Sequence, residues 1–128
     1  MMVSAGLVRV FIRNLRDPSA ETRAEAAERL GKLALSPKGE SEILSQPGAL
    51  LALTSLLGLD KTPEERGAAA VTFYSLSQCA ESKTLVLAEP GIHSGLEDLR
   101  TRGTTEKERK YAEKALALLD SVYIAMPV

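Results

Sequence analysis

The sequence predicts an all-α repeat solenoid, and three observations carry that expectation. The 128-residue chain superposes on itself at a shift of 43 positions, each period reads as three helical segments with no strand pattern, and a Pro-Gly pair punctuates each period. Glu21-Thr22-Arg23-Ala24-Glu25-Ala26-Ala27 falls on Glu64-Glu65-Arg66-Gly67-Ala68-Ala69-Ala70, and a second shift brings Arg66 onto Arg109 and Ala69 onto Ala112. Leu30, Phe73 and Leu116 coincide, as do Leu33, Leu76 and Leu119.

The first segment of the period is short, residues 40–45 and again 82–89. Pro47-Gly48 and Pro90-Gly91 end it, because Pro disfavours helix in the residue before it and Gly permits the sharp turn. The second covers residues 49–57 and 92–102, with an earlier copy at 3–15. The third is long: 20–35, 63–78 and 105–124. Pro63 stands at a helix start, where its missing N–H costs nothing, with Thr62 as the expected N-cap. Thr104 or Thr105 would cap the last copy. Within one domain spanning 1–128, these segments give a partial repeat at 1–16, a third helix at 17–36, repeats at 37–79 and 80–125, and a tail at 126–128.

Composition narrows the function classes. Sixteen Lys and Arg against 17 Asp and Glu leave a net charge of −1, which disfavours a general nucleic-acid binder. The single Cys79 permits no intramolecular disulfide and fits a reducing compartment, cytoplasm or nucleus. No apolar run reaches the length of a membrane span, and no leader pattern is expected at the start.

The motifs carry a resemblance. Pro47-Gly48-Ala49-Leu50-Leu51-Ala52-Leu53-Thr54-Ser55-Leu56-Leu57 and Ala68-Ala69-Ala70-Val71-Thr72-Phe73-Tyr74-Ser75-Leu76-Ser77 resemble armadillo repeats, and the period sits in the roughly 40–47 residue class of armadillo and HEAT units. The resemblance implies a right-handed solenoid of about three armadillo-like repeats, incomplete at its N-terminal end, whose helices H1, H2 and H3 stack in register. Arg102-Gly103-Thr104-Thr105-Glu106-Lys107 with Lys114-Ala115-Leu116-Ala117-Leu118-Leu119 resembles the last repeat of the armadillo domains of plant U-box ubiquitin ligases. No U-box sequence accompanies it, so no ligase activity attaches to the chain. The Trp and Asn ladder of importin-α-like repeats is absent: its positions hold Glu28 and Lys32, Val71 and Ser75, Lys114 and Leu118.

At about 100° per residue, Ala26, Ala27, Leu30, Leu33 and Ala34 share the buried side of the first long helix. Their equivalents are Ala69, Ala70, Phe73, Leu76 and Ser77, then Ala112, Leu116 and Leu119. The opposite side reads Glu21, Glu25, Glu28 and Lys32, then Glu64, Ala68, Val71 and Ser75, then Lys107, Tyr111, Lys114 and Leu118. The resemblance implies that this outer side lines a concave groove for an extended peptide. Three Glu and one Lys make the first rung formally −2, while Lys107 and Lys114 make the last +2. The expected partner is therefore a protein or peptide, basic at the first rung and acidic at the last, with Val71, Tyr111 and exposed Leu118 as apolar anchors. Solubility alone would also favour such charges, since Glu25–Arg29 and Glu28–Lys32 are i,i+4 pairs worth about 0.3–0.5 kcal/mol each.

Other constellations point to no chemistry. Arg9, Arg13 and Arg16 form a basic stripe that reads as a solvated convex face. Arg100, Arg102, Lys107, Arg109 and Lys110 are diluted by Glu106 and Glu108, without interleaved aromatics. His93 beside Ser94 lacks the third member that nucleophilic catalysis needs, and no Cys, His and carboxylate set has metal spacing. Gly31, Gly39 and Gly48 do not form a phosphate loop. The sequence therefore predicts no enzyme, no cofactor and no metal. The remaining alternative is an assembly module. Apolar solenoid ends, with Leu7, Val8, Phe11, Ile12 and Leu15 at one and Val122, Tyr123 and Ile124 at the other, would let copies form a homo-oligomer.

Overall fold

The computed structural model describes the backbone of residues 5–125 and the side chains of residues 6–120. The expected helix start at Val3, the end residues Val122 to Ile124 as packing groups, and the tail at 126–128 lie outside the described side chains or backbone. Among the described residues eight helices run in order: α1 Ala5–Asn14, α2 Ala20–Leu33, α3 Pro37–Leu44, α4 Ala49–Ser55, α5 Pro63–Leu76, α6 Ala80–Ala88, α7 Ile92–Arg102 and α8 Glu106–Ala125. No strand occurs among the described residues.

The three long helices α2, α5 and α8 stack side by side, with α5 sandwiched between the other two. The short helices α3 and α6 and the second helices α1, α4 and α7 cover the opposite side. One continuous core runs through the stack from Val8, Ile12 and Leu30 through Leu53, Phe73 and Leu76 to Leu96, Leu99 and Leu119. The expected inward set of the long helices is buried throughout, except Leu33, which is partly covered.

Local chemistry fixes the element ends. Thr62 caps α5 reciprocally with Glu65: the Glu65 N–H donates to Thr62 Oγ1 at 3.2 Å and the Thr62 N–H donates to Glu65 Oε1 at 3.1 Å. Thr105, not Thr104, caps α8, accepting from the Glu108 N–H at 3.2 Å. Helix α3 starts at Pro37, three residues before the sequence expectation, because Ser36 accepts from the Gly39 N–H and Pro37 occupies the first helical position. Gly48 and Gly91 have φ of 79° and 91°, the left-handed turn that each Pro-Gly pair requires. Gly31 serves a different need. A Cβ there would stand 3.0 Å from Thr72 Oγ1, so the close approach of α2 to α5 depends on its absence.

A polar ladder crosses this apolar stack. Arg23 Nε donates to Glu65 Oε2 at 2.6 Å, and Arg66 Nε donates to Glu108 Oε1 at 2.6 Å. Each pair joins the first turn of one long helix to the first turn of the next. Both carboxylates are wholly buried, and Arg66 is 4% exposed. Each guanidinium also donates to loop carbonyls before its own helix, Arg23 to Asp17 and Pro18 and Arg66 to Leu59 and Lys61. Burial alone would raise the carboxyls of Glu65 and Glu108. Hydrogen bonds from the partner arginine and the capping threonines, with the arginine's charge, bring both net below the ordinary glutamate value of 4.5.

Two outcomes follow. Glu108→Ala leaves Arg66 buried without its partner and is expected to cost about 3–5 kcal/mol in urea unfolding at neutral pH, whereas Arg66→Met with Glu108→Leu recovers most of that loss. Because the folded carboxyl values are depressed, their stabilisation is present above the unfolded glutamate value and is lost as pH falls through the folded one. The urea midpoint is therefore expected to fall progressively below about pH 4.5, with a shallower fall in a Glu65→Gln, Glu108→Gln variant.

Candidate functional site: the face of the third helices

The exposed side of α2, α5 and α8 forms a valley rather than a flat sheet of helices. Between α2 and α5 lies a depression of about 270 Å³, walled by Glu28 and Lys32 of α2, by Leu35 in the turn after it and by Val71 of α5. Ala68, Ser75 and Gly31 form its floor, and Lys107 of α8 closes its far side. Leu35 is 71% exposed at the rim of this hollow. The hollow continues toward the helix C-termini through a second one of about 260 Å³ that shares Leu35 and Ser75. Toward the N-termini, Glu21 and Glu64 border a third of about 250 Å³.

Between α5 and α8 the valley is filled by an aromatic cluster. Tyr74 and Tyr111 meet edge to face, ring centroids 5.8 Å apart at 61°. The Lys114 ammonium lies over both rings, 5.5 Å from Tyr74 and 5.6 Å from Tyr111, and Lys110 lies 5.9 Å from Tyr111. Among the described residues none of Lys107, Lys110 and Lys114 forms an ion pair. The ammonium groups of Lys110 and Lys114 thus lie over the two rings, and Lys107 lines the neighbouring hollow.

The outer set expected from helical spacing is divided by the structure. Glu28, Lys32, Ala68, Val71, Ser75 and Lys107 converge on one hollow, and Tyr111 and Lys114 join the adjacent cluster. Ala68 and Ser75 are buried, 2% and 5% exposed, so they supply floor rather than reaching outward. Leu118 is half-buried, not exposed. Glu25 leaves the groove altogether: it borders a hollow with Phe11, Asn14, Thr22, Ala26 and Arg29 on the far flank of α2, and Arg29 donates to it at 3.4 Å. The physical reason is the crossing of the helices. Positions 25, 68 and 111 face the preceding long helix, so Ala68 packs toward α2, Tyr111 packs on Tyr74, and Glu25 faces the open side of α2.

Helical spacing did not single out Leu35, Tyr74 or the Arg–Glu ladder. The ladder's signals are in the sequence: Arg23, Arg66 and Arg109 recur every 43 residues, and Glu65 and Glu108 each follow a threonine by three. Elsewhere, His93 Nε2 pairs with Asp120 Oδ1 at 3.0 Å, tying α7 to α8 instead of engaging Ser94. Arg9, Arg13 and Arg16 are all exposed, and Arg16 reaches Gly48 O at 3.5 Å. No group of three or more His, Cys, Asp or Glu among the described residues is arranged to hold a metal ion. No described helix is long and apolar enough to cross a membrane.

The solved designed armadillo repeat protein YIII(Dq)4CqI superposes with a TM-score of 0.79 at 24% identity, over 89% of this chain and 47% of that one. The fold is an armadillo solenoid. The chain spans about half the length of that designed protein. No family model matches the sequence, and no curated protein matches it. In the solenoid, α3 and α6 are first helices, α1, α4 and α7 second helices, and α2, α5 and α8 the third helices that form the valley.

Proposed function

We propose that this chain is a non-catalytic protein-interaction module that takes an extended peptide segment of a partner across its third helices. The observation that carries the reading is the hollow in which side chains from all three of those helices converge, Glu28 and Lys32 from α2, Val71 from α5 and Lys107 from α8. A linear segment crossing α2, α5 and α8 meets carboxylates first and ammonium groups last. Glu21, Glu28 and Glu64 suit a basic stretch, and Lys107 at the hollow with Lys110 and Lys114 over the tyrosine pair suit an acidic one. Between them, Leu35 and Val71 offer apolar contact, with Tyr111 and Leu118 on the last rung. Such charges set register and on-rate more than affinity, so the apolar rim is expected to hold the segment and the charges to orient it.

The likeness of residues 102–119 to the last armadillo repeat of plant U-box ligases supports a role in selecting a partner for a larger assembly. Cys79 as the single cysteine fits work in the cytoplasm or nucleus.

The probe for this reading is a pair of fluorescein-labelled peptides about ten residues long, one with basic and acidic ends around a Leu-Val centre, the other uniformly basic. Fluorescence polarisation is expected to favour the mixed-charge peptide. Glu28→Lys combined with Lys114→Glu should weaken it by at least about fivefold, as reversal of two rim charges worth roughly 0.5–1 kcal/mol each predicts. Equal binding by the reversed variant, with helicity intact, would mean that the valley is not the binding face.

A further inference from the structure

The repeat geometry also says what the two flanks of the third-helix stack would fit. Each contact between neighbouring long helices uses one stripe on each. The α2 stripe facing α5 is Arg23, Ala27, Gly31 and Ala34, and it meets Glu65 and Thr72: Arg23 pairs with Glu65, and Thr72 Oγ1 reaches Ala27 O at 3.0 Å. The same stripe in α5 is Arg66, Ala70, Tyr74 and Ser77, again buried or half-buried. In α8 the stripe reads Arg109, Glu113, Ala117 and Asp120, and all four residues are exposed.

On the opposite flank, α2 presents Thr22, Glu25 and Arg29 where α5 presents Glu65, Ala68 and Thr72 to its neighbour. Glu25 and Arg29 are exposed and border the hollow of about 320 Å³ that also contains Phe11 and Ala26. These flanks are charged rather than apolar; of the apolar residues that the sequence suggested for the N-terminal end, Val8, Ile12 and Leu15 are buried in the core, and Leu7 is 44% exposed. The flanks are, however, complementary to each other. Setting α2 of one copy beside α8 of another, in the register of α2 beside α5, brings Arg29 to the position of Thr72 and Glu113 to that of Ala27. It brings Thr22 opposite Arg109, with Glu25 three residues further along the same helix.

Arg109 is already poised for this. Its Nη1 donates to Gly103 O at 2.8 Å, as Arg23 and Arg66 donate to the loops before their own helices. The carboxylate that each of those arginines finds on the next helix has no counterpart for Arg109 among the described residues. Thr22 cannot supply it; Glu25 can.

We propose that a second copy of this chain docks head to tail, α2 against α8, through Arg29–Glu113 and Glu25–Arg109 contacts around the hollow at Phe11 and Ala26. The contact is heterologous, since one copy uses its α2 flank and the other its α8 flank, so association can continue beyond a dimer. It rests on exposed charges and is accordingly weak and salt-dependent.

Sedimentation equilibrium over a concentration series tests it, with circular dichroism to verify helicity. At low salt the weight-average mass is expected to rise above the 13.7 kDa monomer and to fall back at about 1 M salt, where the Debye length is about 3 Å. Arg29→Glu alone and Glu113→Arg alone should each be monomeric, because each sets like charges opposite one another. Mixing the two variants restores opposite charges at every contact and should restore the mass. A strict monomer at the highest concentration in low salt would overturn the proposal. So would association that survives either single reversal, or a mixture that stays monomeric.

Discussion

Glu65 and Glu108 are enclosed carboxylates at the starts of α5 and α8, and the stacking of the third helices answers to the requirement that those charges stay satisfied. A buried ion pair adds little net stability over well-packed apolar groups, yet losing one member is expensive. That asymmetry turns each Arg–Glu pair into a register constraint. If α5 slid by one turn along α2, Glu65 would lose Arg23 while remaining out of water. Sliding of α5 along the small-residue stripe of Ala27 and Gly31 would otherwise be resisted by little more than the Thr72 hydroxyl on Ala27 O and the fit of Gly31 to Thr72.

The same constraint shapes the candidate binding face. With helix starts held level, positions 28, 71 and 114 recur on one side, and the seams between helices fall at positions 68 and 111. A small residue at a seam opens a hollow, as Ala68 does beside Gly31. A large one fills it, as Tyr111 does against Tyr74. The valley is therefore deep between α2 and α5 and ridged between α5 and α8, and the lysines of α8 stand on the ridge. Recognition by shape belongs to the first seam and recognition by charge to the second.

Much of this was legible in the chain. The 43-residue period and the two Pro-Gly pairs located all eight described helices to within about three residues of their described bounds, and Ile92–Arg102 matched at both ends. The inward stripe was legible because a helix buries what its apolar period dictates. The outward stripe was less so. Spacing along one helix cannot reveal which flank a neighbour covers, and this is why Ala68 and Ser75 are buried and Glu25 lies on the far flank. The ladder was hidden for a related reason: Arg66 and Glu108 are ordinary surface residues in composition, and only their 42-residue separation across the stack makes them partners.

The most direct measurement is a double-mutant cycle on Arg66 and Glu108, compared with one on the exposed pair Glu25 and Arg29 by urea unfolding at neutral pH. A register-setting buried pair should show a coupling of about 1.5 kcal/mol or more, and the solvated i,i+4 pair no more than about 0.5 kcal/mol. Couplings of equal size would contradict the account, because Arg66 and Glu108 would then be holding the third helices no more firmly than a surface pair holds a single turn.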